Sequence, residues 1–148
     1  MPRLLPPLAA LLIVSCGGAE GSAPPVDAGA PHCTLGTTMG EIEAALFRGP
    51  KCSPCHSMKT LYPTTLDLVS DGLAARVVDK PAATDNPAEG KCAGRILLPH
   101  DDPDGSLFVE KVSSAHPPCG DPMPQGMVPL TGNEVACVKL WAELATGH

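Results

Sequence analysis

Apolar positions along this 148-residue chain recur at helical spacing in several stretches and nowhere show the alternation of an extensive β-sheet. Over residues 38–47, Met39, Ile42, Ala45 and Leu46 fall on one face, which predicts a helix ending before Gly49-Pro50. The clearest element is the last. Thr131-Gly132-Asn133-Glu134 has the spacing of a capping box, and Cys137, Leu140, Trp141 and Leu144 then repeat at i, i+3, i+4 and i+7. Between them, residues 62–80 hold a weaker helical stretch with Asp71 as its N-cap and Leu73, Val77 and Val78 facing inward. Residues 81–94 are turn formers and charges and read as loop, and Ile96-Leu97-Leu98 is a short apolar run. A short helix over residues 107–112 is capped by Asp104 or Ser106. The pattern predicts an all-α domain.

The N-terminus reads differently. One cation, Arg3, precedes an apolar run from Leu8 to Val14, then Ser15 and Cys16. That run is far shorter than the roughly 20 residues a membrane span needs, so residues 1–15 are expected to be a signal peptide. Ile13-Val14-Ser15-Cys16 resembles a bacterial lipobox, which makes Cys16 the expected lipidation site. Cleavage near Ala19 to Ala23 by an ordinary signal peptidase is the alternative, and it would release a soluble secreted protein. From residue 17 to residue 31 the chain is Gly, Ala, Pro and Ser with only Glu20 and Asp27 charged in its length, apart from a single Val26. Residues 16–31 therefore read as a lipidated Cys followed by a flexible tether, with an r.m.s. span of about 20 Å. Residues 32–148 remain as one small domain.

Candidate chemistry begins at Cys52-Ser53-Pro54-Cys55-His56. C-x-x-C-H is the spacing of covalent c-type haem attachment: Cys52 and Cys55 can each form a thioether to one vinyl group, and His56 then lies against the iron as an axial imidazole. A dithiol redox pair would be expected after a strand, whereas a helix precedes this motif. A zinc site would need a second ligand pair at short spacing, and none follows.

Composition makes a bound group more necessary. Aromatic residues are 3% of the chain, against 18 Pro and 15 Gly, so side chains alone supply a thin core. Of the 7 Cys, Cys16, Cys52 and Cys55 are accounted for. Cys33, Cys92, Cys119 and Cys137 are an even remainder that an oxidising compartment would join as two bridges, in any of three pairings; buried thiols are the alternative. The formal charge is −6, and losing Arg3 with the signal peptide takes it to −7. No basic patch is left to suggest a nucleic-acid partner.

The stretch from His116 to Met127 has no periodicity and is rich in Pro and Gly, which marks a loop held in a particular shape. A thioether is a ligand that haem iron accepts opposite histidine. Met123, between Pro122 and Pro124, is the first candidate for the sixth ligand. Met127 competes through Gly126, His116 and His100 are rival imidazoles, and an open site remains possible in principle. Met58 sits too near the fifth ligand to reach the other face, and Met39 belongs to the first helical stripe.

These residues, in this order, resemble the small single-haem cytochrome c domains of myxobacterial exported proteins and lipoproteins, related to planctomycete-type cytochromes. The resemblance spans residues 39–147. It rests on residues 41–56 with the haem motif, Leu66-Asp67-Leu68, Asp71-Gly72-Leu73, residues 102–107, Cys119-Gly120-Asp121-Pro122-Met123-Pro124, Pro129-Leu130-Thr131 and Trp141. The chain departs from the family at Trp141-Ala142 and Gly147-His148. What the resemblance implies is a class I-like cytochrome c: small helices around one covalent haem c, with His56 and Met123 as axial ligands. Because c-type haem is attached outside the cytoplasm, an export signal agrees with it. A Cys92–Cys119 bridge would pin the ligand loop, leaving Cys33 for Cys137; the family packs its first and last helices together, which makes that second bridge reasonable. The expected function is electron transfer with redox partner proteins by an exported protein, lipid-anchored on the periplasmic or cell-surface face of a membrane, and not enzymatic. The alternatives are a haem enzyme or sensor with an open sixth position, and a haem-free, disulfide-stapled structural lipoprotein.

Overall fold

Thr38 begins the first helix by accepting the Glu41 backbone N–H on its hydroxyl, while the Glu41 carboxylate receives the Thr38 and Thr37 N–H groups in return. This reciprocal cap satisfies donors that a helix start leaves orphaned. The computed structural model describes residues 31–57, 66–82 and 92–148. The signal peptide, Cys16, nearly all of the tether, Met58 and Tyr62 lie outside the described residues.

Helix α1 (Met39–Ile42) runs directly into a π-helical turn, Glu43–Phe47, closed by the Arg48 N–H on the Glu43 carbonyl at 2.9 Å. The wider turn changes which side chains face inward. Ile42, Leu46 and Phe47 are buried, whereas Ala45, expected on the inner face, is exposed. Helix α2 (Ser53–His56) is a single turn with Pro54 at its start, where a missing N–H costs nothing. Helix α3 is Leu73–Val77, helix α4 is Leu107–Ser113, and helix α5, Gly132–Thr146, is the longest described.

One cap differs from expectation, and the other falls to one of its two candidates. Gly72, at φ 79°, precedes α3, where no side chain caps the helix; a left-handed backbone there suits Gly. Asp71 instead meets Arg48 at 2.7 Å. For α4 the cap is Ser106, fully buried, whose hydroxyl accepts the Val109 N–H; Asp104 pairs with Lys139 at 3.3 Å. Val78 and Pro81 also leave the helical and loop patterns. Val78 makes a parallel bridge with Leu98, and Pro81 an antiparallel one with Ile96. These isolated bridges are the only β pairing among the described residues.

The core is built on α5. Its capping box forms through Thr131 and Glu134. Its buried residues are Cys137, Val138, Trp141, Ala142 and Thr146, while Leu144 is 37% exposed. The inner stripe is thus rotated by one residue from the i, i+3, i+4, i+7 set, because α5 packs against both α1 and α4. Phe47, Phe108 and Trp141 meet there, with centroids 5.3 to 5.7 Å apart and two of the three contacts edge-to-face. Such contacts contribute about 0.5–1.5 kcal/mol each beyond area burial. The Trp141 indole N–H donates to the Glu43 carboxylate at 3.1 Å, so the buried ring keeps its polar atom satisfied.

Two disulfides close the domain, Cys33–Cys137 and Cys92–Cys119. The first joins residues 104 apart in sequence, tying the segment ahead of α1 to the middle of α5. Thr34 and Asn133 reinforce that junction with two hydrogen bonds of 2.9 Å. The second lies in a small cluster with Ala82 and Leu107. No helix among the described residues is long and apolar enough to cross a membrane.

Replacing Cys33 and Cys137 together by Ser is expected to cost about 2–5 kcal/mol, since the closed loop is long. The shift in the denaturation midpoint of the oxidised protein measures it, and peptide mapping without reduction should recover the Cys33–Cys137 pair.

Candidate functional site

α2 places Cys52, Cys55 and His56 along one edge of a cavity of about 910 Å³. That volume is within the range of cofactor and ligand pockets. Phe47, from the π turn ahead of the motif, and Phe108 and Val138, from α4 and α5, form apolar wall. Two rings of the core's aromatic cluster, Phe47 and Phe108, therefore also face the cavity. Met123 and Met127 border the same space, from the loop between α4 and α5. His100 and His116 do not line it. His100 is exposed beside His148, whose ring nitrogen lies 2.7 Å from the His100 carbonyl.

His56 is held from two sides by the segment at Leu66. Its Nδ1 lies 3.0 Å from the Leu66 carbonyl oxygen, and its own carbonyl accepts the Leu68 N–H at 2.9 Å. A carbonyl only accepts, so in the neutral ring Nδ1 carries the proton and Nε2 keeps its lone pair. This tautomer is the one a metal ligand needs. Neither Cys52 nor Cys55 is in a disulfide. Burial pushes the Cys52 thiol up to about 11, with Glu134 and Cys55 adding to the shift and Lys51 opposing it.

Lys51 fixes the near end of the motif. Its ammonium is 2.7 Å from Glu134, with both side chains largely screened from solvent, and it reaches the Pro129 carbonyl at 3.5 Å. Burial raises the Glu134 pKa, but bonds from Lys51 and Thr131 outweigh it and hold the carboxyl below its ordinary value. The capping residue of α5 thereby anchors the start of the C-x-x-C-H motif.

The two methionines are held differently. Met123 is half-buried, and its N–H donates to the Lys111 carbonyl on α4 at 2.7 Å. Lys111 also donates to the Asp121 carbonyl at 2.9 Å. Ahead of them Gly120, at φ 59°, passes so close to Lys111 and Cys92 that a Cβ would stand 2.6 Å from the ammonium nitrogen and 3.5 Å from the Cys92 sulfur. The left-handed φ favours Gly there, and any side chain would have to push the Lys111 ammonium aside. Met127 is 43% exposed, and its N–H meets the Pro124 carbonyl only at 3.5 Å.

No family model, no curated protein and no solved structure matches this chain. The site is read from its own residues. Sequence reasoning brought forward Cys52, Cys55, His56 and Met123, and the fold places all four at one cavity. It missed the Leu66 carbonyl, which has no side-chain signature, and the Lys51–Glu134 pair, whose partners are 83 residues apart.

Changing both Cys92 and Cys119 to Ser is expected to loosen the loop that carries Met123 while leaving α2 in place. Limited proteolysis should then cut between residues 119 and 131 faster than in the wild-type protein, with the segment around Cys52 still protected.

Proposed function

We propose that this chain is a membrane-tethered electron carrier holding one covalent haem c, with Cys52 and Cys55 as thioether residues and His56 and Met123 as axial ligands in a class I-like cytochrome c fold. The observation that carries the reading is the meeting of all four residues at one apolar-walled cavity, with His56 presented in the ligating tautomer. The donor set fits the group. Two thiols and an imidazole come from one helical turn, a thioether comes from a separate loop, and Phe47, Leu68, Phe108 and Val138 supply the flat apolar contact a macrocycle needs. A zinc site would need a second ligand pair at short spacing, and none follows the motif in the sequence.

Each residue then has a defined task. Cys52 and Cys55 would hold the group, each by adding its own S–H across a separate vinyl double bond with no net oxidation. His56 donates from Nε2 while the Leu66 carbonyl holds its other nitrogen. Met123 supplies a neutral, soft sulfur that favours ferrous iron. The bound group would supply a one-electron ferrous–ferric couple. The apolar wall would keep water from the bound group and disfavour a gain of positive charge there, which favours a higher potential. Cys16 lipidation and the tether hold the domain at a membrane on the exported side, within reach of redox partner proteins.

Haem staining of the exported protein on a denaturing gel tests the reading directly, and a haem-free structural lipoprotein would not stain. Replacing Cys52 and Cys55 together by Ala is expected to abolish the stain; covalent haem that persists would refute the attachment.

Met123→Ala is expected to remove the sulfur-to-iron band of the ferric protein and open the iron to cyanide, and Met123→His to keep the haem at a lower potential. Met127→Ala should change neither the band nor the potential. A band that survives Met123→Ala would transfer the ligand role to Met127.

A further inference from the structure

Arg76 borders the cavity, but its guanidinium is committed to backbone. From α3 it donates Nε to the Asp67 carbonyl at 3.0 Å, Nη1 to the Asp71 carbonyl at 2.6 Å and Nη2 to the Ser70 carbonyl. One planar fork thus spans a five-residue loop from three points. The same loop is tightened from inside by the Asp67 carboxylate, which accepts the Val69 N–H at 2.8 Å and the Ser70 N–H at 3.1 Å. Leu66, just before this loop, and Leu68 within it grip His56 through the ring Nδ1 and the main-chain carbonyl. The Leu66–Asp67 peptide therefore joins the Arg76 hydrogen bonds to the one on the imidazole.

We propose that Arg76 is a positioning residue for His56: by fixing the Asp67–Asp71 loop it sets the aim and strength of the Leu66 carbonyl bond to Nδ1, and so the donor strength of Nε2 toward iron. This rests on the haem reading above. A well-aligned Nδ1–H to carbonyl bond makes an imidazole a stronger donor, which stabilises ferric iron and lowers the potential. Releasing the loop weakens that bond, so the potential rises. Loss of a nearby positive charge acts in the opposite direction, because a cation disfavours the ferric state. The sign of the shift therefore separates positioning from simple electrostatics. Lysine keeps the charge but cannot span three carbonyls.

The test compares Arg76→Lys and Arg76→Gln with the wild-type holoprotein by redox titration and by NMR of the hyperfine-shifted His56 ring N–H. Both variants are expected to stain for haem, keep the sulfur-to-iron band, show a higher potential, and exchange the ring proton with solvent roughly tenfold faster, the loss of about one net hydrogen bond. Asp67→Ala loosens the loop and leaves the Arg76 side chain in place; because losing its charge raises the potential by itself, its readout is the ring proton alone, which should exchange faster, and it stands in if an Arg76 variant does not fold. A potential that is unchanged or lower, or a ring proton that exchanges at the wild-type rate, overturns the role of Arg76 while leaving the haem reading intact. Wild-type protein that carries no haem overturns both.

Discussion

The contact among Phe47, Phe108 and Trp141 is the interaction on which most of the domain depends. The chain has few large rings, and three of them converge from the π turn, α4 and α5. Phe47 and Phe108 therefore serve twice. Toward the interior the cluster welds the first and last helices together, with Trp141 wholly buried and its N–H satisfied by Glu43. Toward the cavity, Phe47 and Phe108 present the apolar surface on which a planar cofactor could lie. A domain with so little side-chain core keeps a cavity of this size open only if the surrounding wall is stiff, and edge-to-face packing supplies stiffness with little mass.

Covalent bridges do the rest, in two different ways. Cys33–Cys137 closes nearly the whole domain and acts mainly by restricting the unfolded chain. Cys92–Cys119 closes a shorter loop next to the residues that carry Met123. Together with the Lys111 carbonyl and the left-handed Gly120, it leads the Pro-rich loop toward the cavity before Met123 is reached. The loop is ordered by its attachments, since its own residues have no periodic structure to order them.

At the other wall the control is electrostatic and finely divided. Lys51 and Glu134 fasten the start of the C-x-x-C-H motif to the N-terminus of α5, and the Leu66 carbonyl fastens its end. Asp67, held down to about 2 by the Ser70 hydroxyl, the Val69 and Ser70 N–H groups and Arg76, stays ionised through the whole ordinary pH range. The loop behind His56 is thus built from charges and main-chain atoms, which fix direction, whereas the wall facing Phe47 is built from contacts that fix shape.

The elements that local chemistry dictates were legible in the sequence. The capping box at Thr131, the short helix after Ser106, the helical class and the C-x-x-C-H motif each lie within a few consecutive residues, so spacing alone reveals them. The cysteine remainder also implied two bridges. Other features depend on neighbours that are distant in sequence. The π turn moves Phe47 inward in place of Ala45, α5 turns to bury Val138 and Ala142 in place of Leu144, and Asp71 is drawn to Arg48 and leaves the cap to Gly72. A helix with two packing partners chooses its buried stripe by fitting both, and an i, i+4 pattern carries information about only one. The same holds for the site. Residue type named Cys52, Cys55, His56 and Met123, but only the folded chain could bring Met123 to their cavity and set a main-chain carbonyl, invisible in any side-chain pattern, against His56.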